Sequence, residues 1–138
     1  MSTSIQEKKE IVIRFNKEVI EKGSMSSFNQ LVSEKVINHS APPGTPQGPE
    51  SMIYFLFHML RAGFPDLKVE ILDQVAEGDL VTTRKKIHAT HLGEFFGIAP
   101  TRKPVVIDII DIIRIKDGKY AEHWGISNIS DVVAELAK

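Results

Sequence analysis

Apolar residues at the start of the chain recur at helical spacing. Ile11, Val12, Phe15, Val19 and Ile20 form one stripe among Lys and Glu, which predicts an amphipathic helix from Thr3 to Lys22, stopped by Gly23. Ser24 or Ser26 caps a short second helix ending about Leu31, with Phe28 and Leu31 turned inward. A brief extended piece, Val36-Ile37-Asn38-His39, leads into SAPPGTPQGP, whose prolines and glycines forbid regular structure. Pro49 suits the first turn of a third helix running to about Ala62, and Gly63 with Pro65 ends it. Met52, Ile53, Phe55, Leu56, Phe57, Met59 and Leu60 make this helix apolar nearly all round, as expected of one covered on most sides.

After Asp66 the period changes to two. Leu67, Val69 and Ile71 alternate with Lys68 and Glu70 in a strand from Leu67 to Leu72, and Glu77-Gly78-Asp79 turns the chain. Leu80 to His91 reads as a second strand. It is polar on both faces, with Arg84, Lys86, His88 and Thr90 on one and Thr83, Lys85, Ile87, Ala89 and His91 on the other, so one face must meet solvent or a polar cavity. The connection GEFFGIAPTRKP follows, then a hairpin of Val105–Ile115 and Tyr120–Ile126 about Asp117-Gly118, and a last helix from Asp131 to Leu136 capped by Ser130. Helices first and antiparallel strands after predict an α+β fold in a single domain spanning residues 1–138.

The hairpin strand VVIDIIDIIRI is apolar on both faces, so both are expected to be covered. Asp111 shares its face with Val105, Ile107, Ile109, Ile113 and Ile115, and a buried carboxylate there needs a partner. A two-residue turn at Asp117-Gly118 would set Asp111 opposite Trp124. A three-residue loop, Lys116-Asp117-Gly118, would set it opposite His123, and this register is favoured because it pairs the buried acid with a base. Ile110, Ile112, Trp124 and Val106 then form an apolar outer patch. Such a patch predicts a homodimer through that face, unless Val132, Val133 and Leu136 of the last helix fold back over it.

Composition narrows the class. The chain has 138 residues, 25% charged, a net charge of −1 and no cysteine, which excludes a disulfide scaffold, a thiolate zinc site and a cysteine nucleophile. The balanced charge offers no footprint for nucleic acid. No apolar run approaches a membrane span, and MSTSIQEKKE is charged where a signal peptide would be apolar, so a cytoplasmic protein without membrane contact is expected. His88 and His91 point to opposite faces, and no His/Asp/Glu set has ligand spacing; neither metal nor other cofactor is expected.

The segments NHSAPPG, AGFPDLKVEI, VAEGDLVTTR, Gly93 to Thr101 (Gly-x-Phe-x-Gly-x-x-Pro-Thr) and DIIRIKDGKYAEHWGISN resemble the SnoaL-like polyketide cyclases, also called ester cyclases, over roughly residues 8–128. The resemblance implies an NTF2-like cone, a curved antiparallel sheet wrapped around helices with a pocket inside. In the family's anthracycline cyclases an aspartate after the hairpin histidine serves as acid/base, with a histidine on the opposing strand. Carried over by position, the aspartate's place is Gly125 and the opposing histidine's place is Asp111, while His123 and Asn38 match polar pocket residues.

Asp111 and His123 are thus the candidate catalytic pair, the acid fixing the tautomer while the imidazole moves protons. Asn38, with Arg84 as a second candidate, would hold a developing enolate oxygen, with Phe15, Ile109 and Gly125 completing the substrate surface. His39 more simply organises the proline-rich loop. The leading expectation is a cofactor-free cyclase or isomerase acting on a small, apolar, carbonyl-bearing molecule. The alternatives are a hydrolase using the same pair on an ester ring, or a non-catalytic protein that binds an apolar ligand.

Overall fold

A computed structural model of the chain describes residues 3–138. Helix α1 (Ile5–Arg14) starts at a capping box: Ser4 Oγ accepts from Glu7 N, and Glu7 Oε1 accepts from Ser4 N. It runs on as a wider, π-type stretch (Phe15–Glu21) that buries Phe15, Asn16, Val19 and Ile20. Helix α2 (Met25–Leu31) is capped by Ser24, one of the two serines the sequence offered. Helix α3 (Pro49–Ile53) likewise continues through Tyr54–Leu60 and a final turn, Arg61–Gly63, with Met52, Leu56 and Leu60 buried.

The sheet has the order β1-β5-β4-β3-β2, from β1 (Val32–Asn38), β2 (Lys68–Glu77), β3 (Leu80–Thr90), β4 (Pro104–Lys116) and β5 (Lys119–Ser127). It is mixed rather than all antiparallel, because β1 pairs in parallel with β5. Two strands are longer than their patterns suggested. β1 begins at Val32, and β2 continues past a bulge between Ile71 and Asp73, where the alternation that marked the strand breaks. Helix α4 (Ile129–Leu136) begins before Ser130, which is therefore not its cap.

The hairpin register matches neither sequence alternative. Lys116 pairs with Lys119 across the two-residue turn Asp117-Gly118, both residues having positive φ (53° and 73°), as in a type I′ turn. The favoured three-residue loop does not form. Ile115 faces Tyr120, Ala121 is then absorbed as a bulge, and pairing resumes with Arg114 opposite Glu122 and Ile113 opposite His123. Ile112 therefore faces Trp124, and Asp111 faces Gly125. One extra residue restores the parity that the tight turn would have reversed, so His123 shares the inner face with Asp111.

Helices α1 to α3 pack on that inner face, against Val69, Val81, Ile87, Ile107, Ile113, Ile115 and Tyr120. The outer face is bare: Val106, Ile110 and Ile126 are 41%, 44% and 72% exposed. Helix α4 does not fold back over it; Val132 and Leu136 are buried in the core instead.

Candidate active site

Strand alternation carries polar side chains into the apolar interior at one level of the sheet. β3 contributes Thr83 and Lys85, β4 contributes Asp111, and β5 contributes His123, diagonal to Asp111 across Gly125. Thr83, Lys85, Asp111 and Asn16 are all buried, Lys85 and Asp111 at 3% exposure each. Lys85 Nζ donates to Asn16 Oδ1 at 2.6 Å and lies 3.3 Å from Asp111 Oδ2. Asn16 Nδ2 in turn donates to the Val12 carbonyl, which fixes its orientation.

His123 closes the other end of the cluster. Its Nε2 is 3.5 Å from Asp111 Oδ2, and its Nδ1 is 3.0 Å from Asn38 Oδ1. Asn38 Oδ1 also accepts from Ser40 N, so the oxygen, and not the amide nitrogen, faces the imidazole. Nδ1 then carries a proton, and Nε2 is the nitrogen turned toward the Asp111 carboxylate. The His123 side chain keeps 17% of its surface exposed, against 4% for Asp111, so the site is reached over the imidazole.

Burial works against the charge of Asp111. The Lys85 ammonium, followed by His123, outweighs it and holds the carboxyl below its ordinary value. Tyr120 lies beside the cluster, its ring stacked 6.1 Å from that of His123, and burial with the nearby Asp111 charge pushes its phenol well up. It remains a neutral hydroxyl.

The expected residues divide. Asp111, His123 and Asn38 come together. Phe15 is buried, its ring 4.7 Å from that of Tyr120. Gly125 gives His123 its room: a Cβ there would lie 3.0 Å from His123 Cε1 and 3.2 Å from Asp111 Cβ. Arg84 does not belong to the site. It pairs with Ile110 on the outer face and binds Asp73 at 2.6 Å, because its neighbour Lys85 takes the inward position. His39 is also outside, stacked on Trp124 at 4.9 Å and paired with Glu122 at 2.6 Å. Lys85 and Asn16 were missed as candidates, although Lys85 alternates in phase with Ile87 and Ala89, the apolar half of its strand.

The chamber expected between the sheet and α3 is not among the two hollows described. One, about 340 Å³, includes Arg84, Lys86, Asp108, Ile109 and Ile110 in its walls, and the other, about 350 Å³, includes His39, Ile110, Ile112, Trp124 and Ile126. Neither is lined by Asp111 or His123. Among the described residues no group of three His, Cys, Asp or Glu side chains could hold a metal, and no helix is long and apolar enough to cross a membrane.

The curved mixed sheet packed over helices has the NTF2-like α+β fold. Within that class the chain belongs to the SnoaL-like polyketide cyclase family, whose profile matches residues 10–136. It is similar to IdmH of Streptomyces antibioticus, a proposed polyketide cyclase, at 29% identity over 95% of this chain and 99% of that one, with a TM-score of 0.81. AclR of Streptomyces galilaeus, a proposed hydroxylase, is 26% identical over 97% of this chain and 83% of that one, with a TM-score of 0.84. A proposed polyketide cyclase of Bacillus cereus is 28% identical over 95% and 80%, with a TM-score of 0.80. No curated protein matches the chain.

Proposed function

We propose that the protein is a cofactor-free acid/base enzyme of the cyclase or isomerase type, acting on a small, apolar molecule with an enolisable carbonyl. The observation that carries this reading is the orientation of the His123 imidazole, with Nδ1–H committed to Asn38 and Nε2 turned to a buried carboxylate. A proton leaving the carbon next to the substrate carbonyl would arrive at Nε2, where Asp111 stabilises the resulting imidazolium. The Asn38 amide nitrogen, which makes no hydrogen bond among the described residues, is the donor available to the enolate oxygen. Arg84 has no part in this.

The test uses an aromatic ketone, 1-tetralone, in deuterated water, with proton NMR following loss of its α-hydrogens. The wild-type chain should accelerate the exchange, and His123→Ala should lose that acceleration by about 10²-fold or more, the usual worth of a positioned acid/base group. Binding of the ketone without accelerated exchange would reject catalysis in favour of a ligand-binding protein. Entry of labelled oxygen from water into a lactone substrate would assign the same pair to hydrolysis.

A further inference from the structure

Lys85 is a buried cation that the proposed chemistry has not used. Its ammonium has two acceptors, Asn16 Oδ1 at 2.6 Å and Asp111 Oδ2 at 3.3 Å, and both it and Asp111 are 3% exposed. Beyond Lys85, Asp111 has the His123 imidazole, 3.5 Å from Oδ2. Its Oδ1 is buried without a hydrogen-bond partner among the described residues. A buried carboxylate facing only an imidazole would draw a proton onto the pair and keep it there. The imidazole would then be a permanent cation and could not accept a proton from a substrate. With the ammonium present, Asp111 already has a counter-charge, and balancing it does not require a proton on the imidazole.

We propose that Lys85 is a positioning residue of the acid/base site, holding Asp111 as an anion already paired so that His123 Nε2 is open to protonation and release. The role in turnover rests on the acid/base reading above; the electrostatic arrangement itself does not. The groups facing His123 are Asp111 from β4, Asn38 from β1 and Tyr120 from β5, with Lys85 of β3 and Asn16 of the first helix reaching it through Asp111.

The test is an NMR titration of the His123 imidazole, which needs no substrate. Replacing Lys85 by a neutral side chain removes a like charge from the imidazolium's surroundings and leaves Asp111 uncompensated, and both changes favour protonation. Lys85→Met should therefore raise the His123 midpoint by about one pH unit or more, Lys85→Gln should do the same, and Lys85→Arg should stay near wild type. The shift should shrink in an Asp111→Asn background, where only the loss of the like charge remains. A midpoint in Lys85→Met or Lys85→Gln within about 0.3 unit of wild type would overturn the proposal. If neither neutral variant folds, the wild-type chain decides. The Asp111 carboxyl carbon should then show its protonation step below the ordinary carboxylate range and apart from that of His123, and a step shared with His123 would overturn it. A raised midpoint together with a wild-type chain inert in the exchange assay would keep Lys85 in this role electrostatically and reject only the catalytic reading.

Discussion

His123 rests in a space that exists because residue 125 has no side chain. A methyl group at Gly125 would press on His123 Cε1 at 3.0 Å and on Asp111 Cβ at 3.2 Å, and the imidazole is the more movable of the two. Gly125→Ala is expected to displace His123, lower the exchange rate in the ketone assay at least tenfold, and cost about 1–3 kcal/mol of stability by crowding. Unchanged His123 resonances in a proton–nitrogen correlation spectrum would contradict this. That Asp111 would meet a base on its own face was legible in the sequence, because a lone acid among isoleucines requires one. The three-residue loop that was to bring His123 opposite it does not form, and the bulge at Ala121 brings His123 to that face instead. Lys85 was not legible in the same way. In the run RKKIHATH three adjacent cations compete for one inward position, and only the phase set by Ile87 and Ala89 assigns it to Lys85 rather than to Arg84 or Lys86.

Between elements, bulges and ion pairs decide what alternation alone cannot. Ala121 is unpaired, and the partners on either side of it already match as in a regular ladder. Deleting Ala121 is therefore expected to be tolerated, keeping Ile113 opposite His123 and leaving Trp124, the chain's single tryptophan, on the outer face. Trp124 fluorescence that becomes inaccessible to a soluble quencher would show instead that the strand had turned over. Helix α1's continuation is tied to α2 by Glu18, which accepts from Arg14 at 2.8 and 3.1 Å and from Ser27 Oγ at 2.7 Å. The Arg14 guanidinium first, then the Ser27 hydroxyl, hold its carboxyl down from 4.5 to about 2. A lowered folded value means the contribution is complete above the unfolded value and disappears as pH falls through the folded one. The stability gap between wild type and Glu18→Gln should thus be constant above about pH 5 and shrink as the pH falls from 4.5 toward about 2. Thermal melts across that range check it, and a gap independent of pH would rule the tie out. Helix starts such as Ser24 were readable from capping chemistry. The parallel pairing of β1 was not, because its inward residues, Val32 and Val36, bracket a Ser-Glu-Lys stretch without strand alternation and a register shift falls between them.

For the whole molecule, the bare outer face is the largest unresolved demand of the hydrophobic pattern. Ile110 and Ile126 line both hollows there, and the charged pairs Lys86–Asp108 and Arg84–Asp73 flank them, offering both signs of charge to a second copy turned about a twofold axis. We expect a homodimer through this face. Sedimentation at micromolar concentration should give a dimer for wild type and a monomer for Ile126→Asp, which changes a residue 72% exposed in the single chain; a wild-type monomer would end the idea. The opposite side of the molecule is constrained by a different feature. Leu92 N and Gly93 N both donate to the Gly63 carbonyl, and Gly93 sits so close to α3 that a Cβ would fall 2.0 Å from the Ala62 oxygen. The end of α3 is thereby fastened to the end of β3 at residue 63. We expect any opening between α3 and the sheet at the far end of the helix instead, where the proline-rich loop meets Pro49 and Gln47 Oε1 accepts from Asn38 N.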